Sequence, residues 1–159
     1  LIDSKVIIIL KEKGASMSQK FQILWADDEI DLLKPHILFL SEKGCDITTV
    51  NSGIDAIEEV EGRNFDVIFL DEMMPGMTGL ETLQQIKQIK PQIPVVMITK
   101  SEEEHIMDDA IGGKIADYLI KPLNPSQIWL SVKKLLQNKQ LIDSKTAQSY
   151  QQEFMQISQ

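Results

Sequence analysis

Five short, largely apolar runs alternate along this chain with stretches whose apolar residues recur at helical spacing, and few folds tolerate that alternation. The runs cover residues 21–26, 46–50, 65–70, 94–99 and 117–120. A strand buried on both faces reads as a near-continuous apolar run, and such strands belong to parallel sheets covered by helices. Helical patterns are expected over residues 29–43, 52–62, 78–90, 101–111 and 125–136. In the first, Ile30, Leu33, Ile37, Leu38 and Leu40 share helical spacing, Pro35 falls in the early turns, and Gly44 supplies a stop. Ser101 and Glu104 have capping-box spacing, and Pro125 suits a first-turn position. The expected fold is therefore α/β: a (βα)5, doubly wound, five-stranded parallel sheet with helices on both faces.

The chain's 159 residues suffice for one domain with surplus at both ends. Met17, followed by a polar stretch and a strand-like run, looks like a natural start, so residues 1–16 are expected to be a leader or upstream translation and residues 17–137 the domain. Residues 138–159 turn polar and helix-permissive, with Leu141, Ile142, Tyr150, Phe154, Met155 and Ile157 as scattered apolar positions. They read as a linker or the start of a truncated helical effector segment, a helical tail on the domain. A net charge of −8 gives no positive footprint for phosphate backbones, so direct nucleic-acid binding by this fragment is not expected. Cys45 is the single cysteine, which rules out an intrachain disulfide or a CxxC pair and suits a reducing cytoplasm. The longest early apolar run, residues 6–10, is too short to span a bilayer, so no membrane insertion is expected.

Open parallel sheets bind ligands outside the carboxyl ends of their strands. Asp27, Asp28, Asp71, Thr99 and Lys121 all fall at those ends. Three carboxylates in one cleft repel one another, and a divalent cation removes the conflict; Mg²⁺, which favours oxygen ligands, water and phosphate, suits Asp27, Asp28 and Asp71. Phosphoryl transfer needs an in-line nucleophile, a metal and a cation on the equatorial oxygens. Asp71 is the candidate nucleophile, Lys121 the cation, and Thr99 a hydroxyl donor to the same group. Plainer readings stand beside these: adjacent aspartates often mark a solvated loop, Asp71 could serve the turn before Pro75 and Gly76, and Tyr118 would as readily be a half-buried packing residue. Residues 102–104 are three glutamates that suit a helix amino terminus. His36 and His105 are isolated from each other and from cysteine, so packing or surface roles are expected, and Met73, Met74 and Met77 are expected to pack the loop after Asp71.

Four stretches carry a resemblance: Leu24-Trp25-Ala26-Asp27-Asp28-Glu29, Asp71-Glu72-Met73-Met74-Pro75-Gly76-Met77-Thr78-Gly79, Met97-Ile98-Thr99 and Asp117-Tyr118-Leu119-Ile120-Lys121-Pro122. In order and spacing, over about residues 21–137, they resemble the receiver family of two-component response regulators, whose fold is CheY-like and flavodoxin-like. That resemblance implies Asp71 as phosphoacceptor, Asp28 as a direct Mg²⁺ ligand, Asp27 as a mostly water-mediated one and the backbone carbonyl of Met73 as another. It implies that Lys121 binds phosphate, that the bond from Lys121 to Pro122 is cis, and that Thr99 and Tyr118 form a switch pair acting on the face of the fourth helix, last strand and last helix. A sensor histidine kinase as donor, phosphorylation-enhanced homodimerisation and a further output partner follow from the same source, with the chain a self-phosphorylating switch and not a turnover enzyme. The finer wording, Trp25-Ala26 with the run from Thr99 to Met107 and the tail from Tyr150 to Phe154, resembles the PorX-like branch of Bacteroidetes receivers associated with type IX secretion. One departure is Lys100, where receivers usually carry a small residue, and it leaves the acyl-phosphate lifetime open. The competing functions are an aspartyl phosphohydrolase, disfavoured by Met73 where such enzymes commonly carry an acid/base carboxylate, and a phosphorylation-independent interaction module.

Overall fold

In a computed structural model the described residues are 20–100, 112 and 114–157, excluding the side chains of 140–151, 153, 154, 156 and 157. Strands β1 (Phe21–Ala26), β2 (Cys45–Val50), β3 (Val67–Asp71), β4 (Val95–Thr99) and β5 (Asp117–Ile120) form one sheet in the order β2-β1-β3-β4-β5, every neighbouring pair parallel. Among the described residues, helices α1 (Lys34–Glu42), α2 (Gly53–Gly62), α3 (Gly79–Ile89) and α4 (Pro125–Ile157) follow β1, β2, β3 and β5 in turn. This is the doubly wound, flavodoxin-like order, as expected from the alternation of runs.

Each strand feeds both faces. In β1, Leu24 and Ala26 join a core with Ala56, Val60, Leu83 and Ile86 of α2 and α3, while Ile23 and Trp25 join a second core with Leu40 of α1 and Ile128 and Val132 of α4. All four of those β1 residues are fully buried, and this is the physical source of the uninterrupted apolar run. Trp25 packs on Phe69 with ring centroids 5.3 Å apart. Cys45 lies buried in the second core with a free thiol whose pKa burial pushes up to about 11, which matches a packing role.

Local chemistry sets the helix ends. Ser52 caps α2 by accepting from the Asp55 N–H at 3.2 Å, and Thr78 caps α3 by accepting from the Glu81 N–H at 3.1 Å. Gly44 takes φ +93° between α1 and β2, a conformation that favours glycine.

Several boundaries depart from expectation. The first helix is divided into a 3-10 turn, Ile30–Leu33, and α1. Pro35, in the first turn of α1, has no N–H to continue a ladder from the turn before it. Strand β3 begins at Val67, not Phe65, because the Asp66 carboxylate accepts the Gln22 N–H at 2.8 Å and fixes the entry instead; Asp71 is therefore the last residue of the strand and not the one beyond it. Helix α4 does not stop at Leu136 but runs on to Ile157, about 50 Å in all. No glycine or proline lies between residues 137 and 157 to end it. The helix expected over residues 101–111 and the leader over 1–16 lie outside the described residues. Among the described residues, no helix is long and apolar enough to cross a membrane.

Candidate functional site

The chain passes from β1 outward to β2 and then back to β3 on the other side, so the strand order reverses between β1 and β3. Two parallel strands whose crossovers lead to opposite faces leave a crevice at their carboxyl ends. Asp27 directly follows β1, its N–H donating to the Val50 carbonyl at 3.1 Å, and Asp71 ends β3. Thr99 ends β4, and Lys121 directly follows β5 with its N–H donating to the Thr99 carbonyl at 2.8 Å. With Asp28 next to Asp27, the five polar residues named from sequence stand at one edge, and the Lys121–Pro122 bond is cis, as the resemblance implied.

Their side chains converge. Lys121 Nζ lies 3.1 Å from Asp71 Oδ2 and 3.3 Å from Asp27 Oδ2. Asp27, Asp71 and Thr99 are buried while Asp28 is exposed. Asp27 Oδ1 accepts the Glu29 N–H at 2.8 Å, and Asp71 Oδ1 receives a long bond of 3.4 Å from the Met73 N–H. Burial, then the neighbouring Asp27, pushes the Asp71 carboxyl up from its ordinary 3.8 to about 6 against the opposing pull of Lys121 and the Met73 N–H. Burial alone would lower Lys121, but Asp71 and Asp27 outweigh it and hold the ammonium above its ordinary value. One lysine therefore does not neutralise the pair of buried aspartates.

That deficit is what a cation would fill. One carboxylate oxygen from each of Asp27, Asp28 and Asp71 lies within 4.8 Å of the others, and the buried Asp27 Oδ2 shares Lys121 Nζ, at 3.3 Å, with Asp71. An all-oxygen donor set of this kind fits a hard divalent ion. Asp28 and Asp71 open onto a cleft of about 370 Å³ whose wall includes Met73, Thr78, Lys100 and Lys121.

The other expected residues are placed less uniformly. Tyr118 pairs in register with Met97, two residues before Thr99 and so on the same face of the sheet, and packs half-buried against the first core. Met74 is buried as a packing residue, but Met73 is 63% exposed at the cleft mouth and does not pack the loop as expected. His105 and residues 102–104 lie outside the described residues.

Two features escaped the sequence reading. A Cβ on Gly79 would collide with the Asp71 carbonyl oxygen and approach Glu72 Cα to 2.8 Å, so only glycine lets α3 begin this close to the end of β3. Its place at the end of the Asp71–Gly79 stretch was the available signal. His36 reaches the Leu123 carbonyl across 87 residues of sequence, for which there was none.

Comparison with known proteins agrees with this geometry. Residues 23–152 match the family described as response regulator receiver domain. The chain is 34% identical over 124 residues to the transcriptional regulatory protein ZraR of Escherichia coli O157:H7, covering 78% of this chain and 28% of that protein. It is 31% identical over 122 residues to the alkaline phosphatase synthesis transcriptional regulatory protein PhoP of Bacillus subtilis, covering 76% and 50% respectively. It therefore spans half or less of the length of these curated relatives. A crystal structure of a two-component response regulator from Clostridium difficile superposes with a TM-score of 0.67 at 29% identity, covering 74% of this chain and 97% of that one.

Proposed function

The chain belongs to the response regulator receiver domain family, and on that premise we propose that it accepts a phosphoryl group on Asp71 from a sensor histidine kinase, with Mg²⁺ held by Asp27, Asp28, Asp71 and the Met73 carbonyl. The observation that carries this reading is Lys121 Nζ lying within 3.3 Å of both buried aspartates while three carboxylates stay within 4.8 Å of one another. In the transfer, an Asp71 carboxylate oxygen forms the new bond to phosphorus as the bond from phosphorus to the donor breaks, and the donor leaves with that electron pair. Bound Mg²⁺ supplies neutralisation of the charge on the phosphoryl oxygens and of the carboxylate repulsion. Lys121 exchanges its contacts with Asp71 for contacts to an equatorial oxygen, a move of a few ångströms by a flexible point charge. Thr99, buried at the end of β4, donates its hydroxyl to the same group, and Tyr118 follows it on the same face of the sheet.

The change is transmitted to the surface formed by β5 and the helices beside it, which serves homodimerisation and an output partner. On this reading residues 17–137 make up the receiver unit, and residues 138–159 serve as a linker or as the start of a helical effector segment. The wording around Trp25, Lys100 and the tail supports a place in the PorX-like branch and thus in regulation of type IX secretion from the cytoplasm. Incubation with acetyl phosphate and Mg²⁺ tests the chemistry: label that stops near one equivalent, survives acid and is released by hydroxylamine supports an acyl-phosphate switch. Phosphate release running far beyond one equivalent would instead identify an aspartyl phosphohydrolase.

A further inference from the structure

The position of Lys121 depends on a turn that is short of internal hydrogen bonds. Its Nζ must stay near two carboxylates, at 3.1 and 3.3 Å, yet the lysine lies beyond the end of β5 and precedes a proline that offers no N–H. The turn is anchored behind by the Lys121 N–H on the Thr99 carbonyl and ahead by Asn124, whose Oδ1 accepts the Ser126 N–H at 2.9 Å at the start of α4. Midway, the Leu123 carbonyl lies 2.8 Å from His36 Nε2 of α1. A carbonyl only accepts, so Nε2 carries the proton and the imidazole donates. His36 Nδ1 is buried with no partner, and a small cavity of about 220 Å³ is shared by His36, Leu123, Lys121 and Asp27. The imidazole therefore makes one directed bond, and that bond holds the lysine turn.

Resting on the phosphoacceptor reading above, we infer that His36 is a positioning residue for Lys121: its Nε2–H bond to the Leu123 carbonyl ties α1 to the turn that aims the lysine at Asp71 and Asp27. Misplacement of a charged group by an ångström at a phosphoryl site costs rate more than it costs ground-state metal binding, since the carboxylates stay where they are. A glutamine at this position can place an amide N–H where Nε2–H stands, whereas asparagine reaches only the place of Nδ1.

The test uses the full chain with saturating Mg²⁺ and measures the rate of phosphoryl uptake from acetyl phosphate together with the Mg²⁺ dissociation constant. His36→Ala is expected to slow uptake about tenfold with Mg²⁺ affinity unchanged. His36→Gln is expected to restore the rate and His36→Asn to leave it slow. In a Lys121→Ala background, His36→Ala should add no further loss. Equal rates for His36→Gln and His36→Asn, or a loss that persists in full without Lys121, would overturn the inference, and the Gln/Asn pair still decides it if His36→Ala fails to fold. A wild-type chain that takes up no phosphoryl group, even with a folded fold and bound Mg²⁺, overturns the phosphoacceptor reading itself, which separates that failure from a failure of the role given to His36.

Discussion

Asp71 carries a conflict that a bound divalent cation would resolve. Its carboxyl sits at about 6 in the folded chain against an ordinary 3.8, so the folded state keeps a proton that the unfolded state has already lost. A raised carboxylate pKa makes stability fall as pH rises through that window, and at pH 7 the ionised Asp71 costs the metal-free fold about 1–3 kcal/mol. Asp71→Asn is expected to raise the urea midpoint of the metal-free protein at pH 7.5 and to change it little at pH 4. An equal gain at both pH values would show that ionisation of Asp71, buried beside Asp27, is not the source. By the same sign, saturating Mg²⁺ should raise Tm more at pH 7.5 than at pH 5, a difference read directly by calorimetry. Gly79→Ala forces a methyl group against the Asp71 carbonyl and should cost about 2 kcal/mol or more, whereas Gly62→Ala, with open space around its Cβ, should be neutral or slightly stabilising in the same urea titration.

Helix α2 opens on Ser52, whose side chain satisfies the Asp55 N–H; Ser52→Ala should lower stability by about 1 kcal/mol without altering Mg²⁺ affinity, as urea denaturation and a metal titration would report. The strands were legible in the sequence because residues such as Ile23, Leu24, Trp25 and Ala26 are buried alternately against two helical layers, leaving no polar position in the run. Asp27, Asp71, Thr99 and Lys121 were legible for the complementary reason: polar residues directly after or at the ends of such runs face the edge where strands finish. The start of β3 was misread because Phe65 is buried like a strand residue although the ladder begins at Val67. The break before α1 and the length of α4 were not legible, since Pro35 suits both a first turn and an interruption, and a polar tail without glycine or proline reads equally as linker or helix. His36 was out of reach altogether because its partner is a backbone carbonyl on a distant turn.

The molecule as a whole brings one charge arrangement to the crevice where its strand order reverses. If phosphorylation moves Lys121, Thr99 and Tyr118 together, the effect must appear at the surface around β5, and beryllofluoride with Mg²⁺ should increase the dimer fraction in sedimentation velocity. A monomer with and without the mimic would contradict that assembly while leaving the chemistry intact. The chemistry is reached most directly by the intact mass of the chain after treatment with acetyl phosphate. With Mg²⁺ the account predicts a single phosphoryl adduct on the wild-type chain and none on Asp71→Asn or in the metal-free control; an adduct of equal yield in either control would contradict Asp71 as the Mg²⁺-dependent acceptor.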